Sequence, residues 1–172
     1  MIRIWIVAFL LIFFLANRVY AKSDYVLPYP SNMPGGLSYK LHLLYENISK
    51  YWYFGDFGQF DYNLKMADKY LVEAKTLFDY KQYLLGFNAL QKTDSYSTNI
   101  LPHLIKAEKN SKDVAQKKML LKEAMQKHIE VLEEMKNRFP ATFIWEPEKS
   151  APTILNLEEA FNKSIQLREK IL

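Results

Sequence analysis

Apolar positions recur at helical spacing along most of the chain. Phe60, Leu64, Ala67, Leu71, Ala74 and Phe78 step by 4, 3, 4, 3 and 4, a seam of two apolar residues per heptad. Met66, Tyr70 and Leu77 widen that stripe, as a helix packed on two neighbours requires. The spacing predicts a helix from about Gln59 to Asp79. A short break near Asp79 to Lys81 leads into a second stripe of Tyr83, Phe87 and Leu90, with Leu84 beside it. So short a connection sets the two helices side by side and antiparallel. The stripe weakens at Thr93 to Asn99, then resumes with Ile100, Leu101, Leu104 and Ile105. Pro102 has no amide hydrogen to donate, which predicts a kink or a restart there.

The same reading extends to both sides. Ser38 is placed to cap a helix running to about Tyr53, with Leu41, Leu44, Tyr45, Ile48 and Trp52 on one apolar face. Tyr51, Trp52, Tyr53, Phe54, Phe57 and Phe60 crowd into ten residues, with Gly55 and Gly58 among them. Three roles compete for this cluster: a core plug at one end of the bundle, the lining of an apolar ligand site, or a seat at a membrane interface. Packing in the core is the preferred reading, because few basic residues (Lys40, Lys50) flank the helix.

Downstream, Asn110, Ser111 and Asp113 mark a turn, and Asp113 is a cap for a helix through Arg138. Val114, Leu121, Ala124, Met125, His128, Leu132, Met135 and Phe139 form its core face. Glu123 with Lys127 and Glu134 with Arg138 are favourable pairs on the wet side. Pro140 ends the helix. Residues 141 to 153 read as a linker, pinned to the bundle by Phe143, Ile144 and Trp145. Asn156 caps a last helix, whose inner face includes Leu157, Ala160, Phe161, Ile165, Arg168 and Leu172. No strand signal is evident. The expected fold is all-α: an antiparallel helical bundle of about four to five helices.

The N-terminus has a different character. Arg3 precedes thirteen uncharged residues, Ile4 to Ala16, and Val19-Tyr20-Ala21 follows. This is the layout of a secretory signal peptide cut after Ala21, or of an uncleaved anchor. The apolar run is shorter than the ~20 residues that span a bilayer. Residues 22–36 carry Pro28, Pro30 and Pro34. They read as an extended strap with a turn at Pro34-Gly35-Gly36. The expected organisation is a signal segment 1–21, a strap 22–36, a bundle 37–139, a packed linker 140–156 and a C-terminal helix 157–172.

Charge changes the picture only by subtraction. The 172 residues carry a net charge of +4, and Arg3 and Arg18 supply half of it. The remainder holds 21 basic against 19 acidic residues, with none of the concentrated basicity that nucleic acid requires. There are no cysteines, which excludes thiolate metal sites and cysteine nucleophiles. His42, His103 and His128 never fall at i,i+3 or i,i+4, and none follows a Glu at the spacing a di-iron bundle needs. His128 reads as a satisfied core histidine. Glu130, Glu133 and Glu134 read as a solvated face. Asn47-Ile48-Ser49 and Asn162-Lys163-Ser164 match the glycosylation pattern, which matters only in a eukaryotic host. No catalytic residue, cofactor or metal ligand is expected.

One stretch resembles a known family. Tyr25-Val26-Leu27-Pro28-Tyr29-Pro30, then Pro34 and Leu37 to Leu41, followed by the hairpin sequence Asn63 to Ala74, is similar to exported bacterial domains of unknown function that carry a Leu-Pro-Tyr-Pro strap after the signal peptide. The resemblance covers residues 23 to 96 and implies export, helicity and a bacterial surface. It brings no catalytic residue. The expected function is an exported, non-enzymatic module that binds a protein or another envelope component. The alternative is a carrier or sensor that holds an apolar ligand or peptide at Tyr51 to Phe60. Membrane contact is expected only as peripheral docking or through an uncleaved anchor.

Overall fold

A computed structural model describes residues 22–30 and 37–172, with backbone alone at 37, 38, 40, 42 and 47. The signal segment 1–21, the Pro34-Gly35-Gly36 turn, the Ser38 cap and the His42 side chain lie outside the described residues. Among the described residues the chain forms α1 (Leu37–Ser49), a 3-10 turn (Lys50–Trp52), α2 (Gly55–Asp79), α3 (Tyr83–Lys109) and α4 (Ala115–Arg138). Strands β1 (Thr142–Trp145) and β2 (Thr153–Asn156) then lead into α5 (Leu157–Glu169). The architecture is a helical bundle, as its periodicity predicts.

The α2 seam is legible residue by residue. Phe60, Leu64, Ala67, Leu71, Ala74 and Phe78 are all buried, and α3 returns along them. Lys81 turns the chain between α2 and α3 with φ of 60°, its amide donating to the Phe78 carbonyl at 2.9 Å. Ser111 does the same between α3 and α4 with φ of 58°. The Asp113 carboxylate accepts from the Ala115 amide at 2.9 Å. At the last helix the Asn156 side chain accepts from the Glu159 amide at 3.2 Å, satisfying one orphan donor of the first turn.

The interior has two apolar halves. One gathers Phe60, Leu64, Ala67, Ile100, Leu104 and Met125. The other gathers Leu71, Phe78, Leu90, Leu132, Phe161 and Ile165. Between them lies a layer of fully or nearly fully buried polar groups: Asp68, Thr93, Ser97, His128, Ser164 and Arg168. This layer explains the weakened stripe at Thr93 to Asn99. Thr93 donates to the Ala67 carbonyl at 2.7 Å, and Ser97 to the Thr93 carbonyl at 2.8 Å.

Four expectations need correction. Of the kink or restart expected at Pro102, the restart does not occur: helix α3 continues through it, with Ile100 and Leu104 on either side buried in the core. The linker contains an antiparallel pair, with Phe143 opposite Leu155 and Ile144 opposite Ile154; four-residue strands are too short for a period to announce them. Phe143 packs on Tyr83 with centroids 4.7 Å apart, but Ile144 and Trp145 stay exposed and pin nothing. The surface ions of α4 choose other partners than the expected ones, one of them along α4 and two on α2. Lys127 binds Glu130 at 2.7 Å, Glu134 meets Lys75 at 3.2 Å, and Arg138 meets Asp79 at 2.8 Å.

Candidate functional site

Helix α1 is inside out. Its apolar face, expected in the core, points to solvent: Leu41, Leu44, Tyr45, Ile48 and Trp52 are all exposed, from 47% for Ile48 to 63% for Leu41. The opposite side carries Tyr39 and Glu46 and packs on α2. Tyr39 donates its hydroxyl to Glu73 at 2.8 Å. Glu46, 5% exposed, pairs with Lys69 and accepts the Tyr70 hydroxyl at 3.0 Å. The Tyr62 hydroxyl reaches the Glu46 carbonyl at 3.2 Å, and Ser49 donates to the same carbonyl at 2.9 Å. Burial, then the neighbouring Glu73 and Glu46 carboxylates, push the Tyr39 and Tyr70 phenols far above their ordinary pKa. Both remain protonated donors to the carboxylates they hold.

Beneath this clasp, Tyr70 stacks on Tyr96 with centroids 5.6 Å apart and planes 5° off parallel. The ammonium groups of Lys69 and Lys92 sit 4.5 and 4.8 Å from the Tyr70 ring. The platform under α1 is thus polar and cationic, and it selects the polar side of the helix. Helical periodicity reveals that an apolar face exists; it does not say which way that face turns.

The aromatic cluster divides. Tyr51, Trp52 and Phe54 are exposed, at 66, 62 and 81%, so they are no core plug. Tyr53 is half-buried and tilts against Tyr62 at 5.4 Å. Phe57 is half-buried beneath Lys112 and Lys117, and Phe60 belongs to the core. Phe57 borders a hollow of about 240 Å³ that Trp52 does not line. The six residues therefore do not face one common direction. The outward group is Tyr51, Trp52 and Phe54, continuous with α1; Tyr45 and Trp52 meet edge to face at 6.2 Å. Two glycines set the turn. Gly55 takes φ of 70°, and a Cβ on Gly58 would lie 2.7 Å from the Tyr53 carbonyl carbon. Gln59 clamps the turn with bonds to the Lys50 and Tyr53 carbonyls at 3.1 and 2.7 Å.

The polar layer holds the other chemistry-bearing residues. His128 meets Asp68 at 2.7 Å through Nε2, and Arg168 Nε donates to Nδ1 at 3.2 Å. That pattern fixes a neutral imidazole with its proton on Nε2. Burial first, and the Arg168 charge after it, hold the His128 pKa below its ordinary value. Arg168 also binds Asp94 at 2.6 Å, the Ser164 carbonyl at 2.9 Å and the Thr93 hydroxyl at 2.9 Å. Tyr25 of the extended segment 22–30 closes the chain by donating to Asp68 at 2.6 Å. His128 and Arg168 are wholly buried, whereas Asp94 and Asp68 at the two ends of the chain border open hollows. Among the described residues no group of acids and histidines could hold a metal ion. Glu130 takes Lys127 and the Ser23 amide.

Sequence reasoning missed an open groove of about 560 Å³ between α3 and α5, lined in part by Leu90, Asp94, Leu155, Ala160 and Leu167. Each side contributes residues distant in sequence, so no local pattern marks it. No helix among the described residues is long and apolar enough to cross a membrane. Comparison with protein-family models, curated proteins and solved structures returns no match.

Proposed function

We propose that this chain is an exported, non-enzymatic helical module of the cell envelope that works by docking through the outward face of α1 and the turn after it. The carrying observation is the inversion of α1: Glu46 and Tyr39 are turned in, while Leu41, Leu44, Ile48 and Trp52 are turned out. Contiguous exposed apolar surface of this kind marks an interaction site. The complete burial of His128 and Arg168 supports a structural reading of the polar layer. The charge layout of residues 1–21 supports export.

Absence of native cysteine makes the test direct, because a single introduced thiol is a unique reporter. Leu44→Cys reports on the α1 face, and Met119→Cys on an exposed position of α4. A membrane-impermeant maleimide added to intact spheroplasts should modify Met119→Cys, which reports export. Leu44→Cys should react much more slowly in spheroplasts than in purified protein, which reports an occupied face. Labelling of neither until lysis refutes export. Equal labelling of both refutes docking through α1.

A further inference from the structure

We infer that the occupant of the α1 face is the interfacial zone of an anionic lipid bilayer, an inference that rests on the docking role proposed above. The face has the make-up of an interfacial helix: aliphatic Leu41, Leu44 and Ile48 along one stripe, with Tyr45, Tyr51, Trp52 and Phe54 at its C-terminal end. Aromatic rings with a polar edge settle at the headgroup level, while aliphatic chains enter the acyl boundary. The surface is the convex side of a helix, suited to a broad deformable solvent.

The charges agree. From residue 37 to residue 60 the acids are Glu46 and Asp56. Both are buried; Glu46 pairs with Lys69, and Asp56 lies 3.6 and 3.5 Å from Lys106 and Lys112. Lys50 and Lys65, by contrast, are exposed, lying 4.9 Å over the Tyr51 ring and 5.9 Å over the Tyr53 ring. Asp61, the next acid on α2, is partly exposed but held by Lys117, so the open charges nearest the apolar face are the cations Lys50 and Lys65, which suit an anionic headgroup layer.

The chain's own path agrees as well. Ser23 is fixed on α4, with its hydroxyl donating to the Glu123 carbonyl at 2.8 Å, and Tyr25 reaches Asp68 on α2. Lys65 of α2 borders the hollow beneath this segment and brings its ammonium 3.4 Å from the Tyr53 hydroxyl. The extended segment and the aromatic turn therefore occupy neighbouring faces of α2. Five residues lie between Ala16 and Lys22, six backbone steps of about 20 Å at full extension. A retained Ile4–Ala16 segment would hold the bundle within that distance of a bilayer.

The test uses the full chain with Trp5→Phe and Trp145→Phe, which leaves Trp52 as the single tryptophan. It is reconstituted into vesicles of phosphatidylglycerol and phosphatidylcholine whose acyl chains do or do not carry bromine. Membrane attachment through residues 1–21 does not by itself bring Trp52 to the lipid, so the readout is local. Expected are a blue shift of Trp52 emission and its loss in brominated lipid. Both should vanish in Leu44→Ser/Ile48→Ser, whose substitutions are on exposed positions and leave the circular dichroism unchanged. Pure phosphatidylcholine should quench less; equal quenching overturns the charge match. Emission indifferent to bromine overturns the inference. If Trp52 is indifferent while Leu44→Cys stays protected on cells, a protein covers the face and the docking role stands. If Leu44→Cys also labels freely, the docking role itself has failed.

Discussion

Acidification should weaken this fold through His128. The imidazole is met by Asp68 from α2 and Arg168 from α5, with Asp94 of α3 on the far side of Arg168 and Tyr25 on the far side of Asp68. Protonating Nδ1 would turn two donors toward each other and set a second cation against Arg168 in a dry interior. The folded pKa is therefore held below the ordinary value of 6.5, first by burial. In the unfolded chain the same histidine takes up its proton near pH 6.5. Below that pH the unfolded state binds the extra proton and the folded state resists it, so stability is lost as pH falls. The slope limit is about 1.4 kcal/mol per pH unit for one proton, or about 2 kcal/mol between pH 6.5 and pH 5. Urea unfolding followed by circular dichroism at a series of pH values measures it. His128→Gln should flatten the slope while lowering stability at every pH. Wild-type stability that is flat or rising from about pH 7 down to pH 5, or a slope that survives in His128→Gln, refutes the reasoning.

Two further outcomes test the layers around that group. Arg168→Ala strips partners from His128, Asp94 and Thr93 at once, and chemical denaturation should show a loss of about 3–5 kcal/mol, the range for breaking a buried ion pair. Gly58→Ala favours the helix by about 1 kcal/mol in propensity but drives a methyl into the Tyr53 backbone. Amide exchange should therefore quicken at residues 50–54 and remain unchanged in the α2 core.

Much of the bundle is legible in the sequence because its seams are local and apolar. The stripe Phe60 to Phe78 and the Asn156 cap need nothing beyond spacing and residue type. The polar layer is illegible for the opposite reason. A method that counts apolar recurrences reads Thr93 to Asn99 as a gap and cannot tell that Thr93 bonds Ala67 or that Asp94 binds Arg168, residues 74 apart in sequence. Arg168 itself falls on the apolar side of α5, and only its partners show why a guanidinium belongs there. The strands fail on length, and the groove between α3 and α5 fails because its two walls are never neighbours in the chain.

The orientation of α1 is the instructive case. Its pattern is as clean as that of α2, yet the two helices turn their apolar faces in opposite directions. Burying Leu41, Leu44 and Ile48 would contribute roughly 1.5–3 kcal/mol for each fully sequestered side chain. Burying Glu46 instead carries a desolvation cost that Lys69 and Tyr70 must offset. Polar contacts with α2 therefore hold α1 in place while the apolar stripe goes without burial in the isolated chain. The platform on α2 could have been apolar; it presents Lys69, Tyr70 and Glu73. An apolar stripe kept outward at that cost, with the nearby acids paired and lysines at its rim, follows when the apolar solvent for that stripe lies outside the protein.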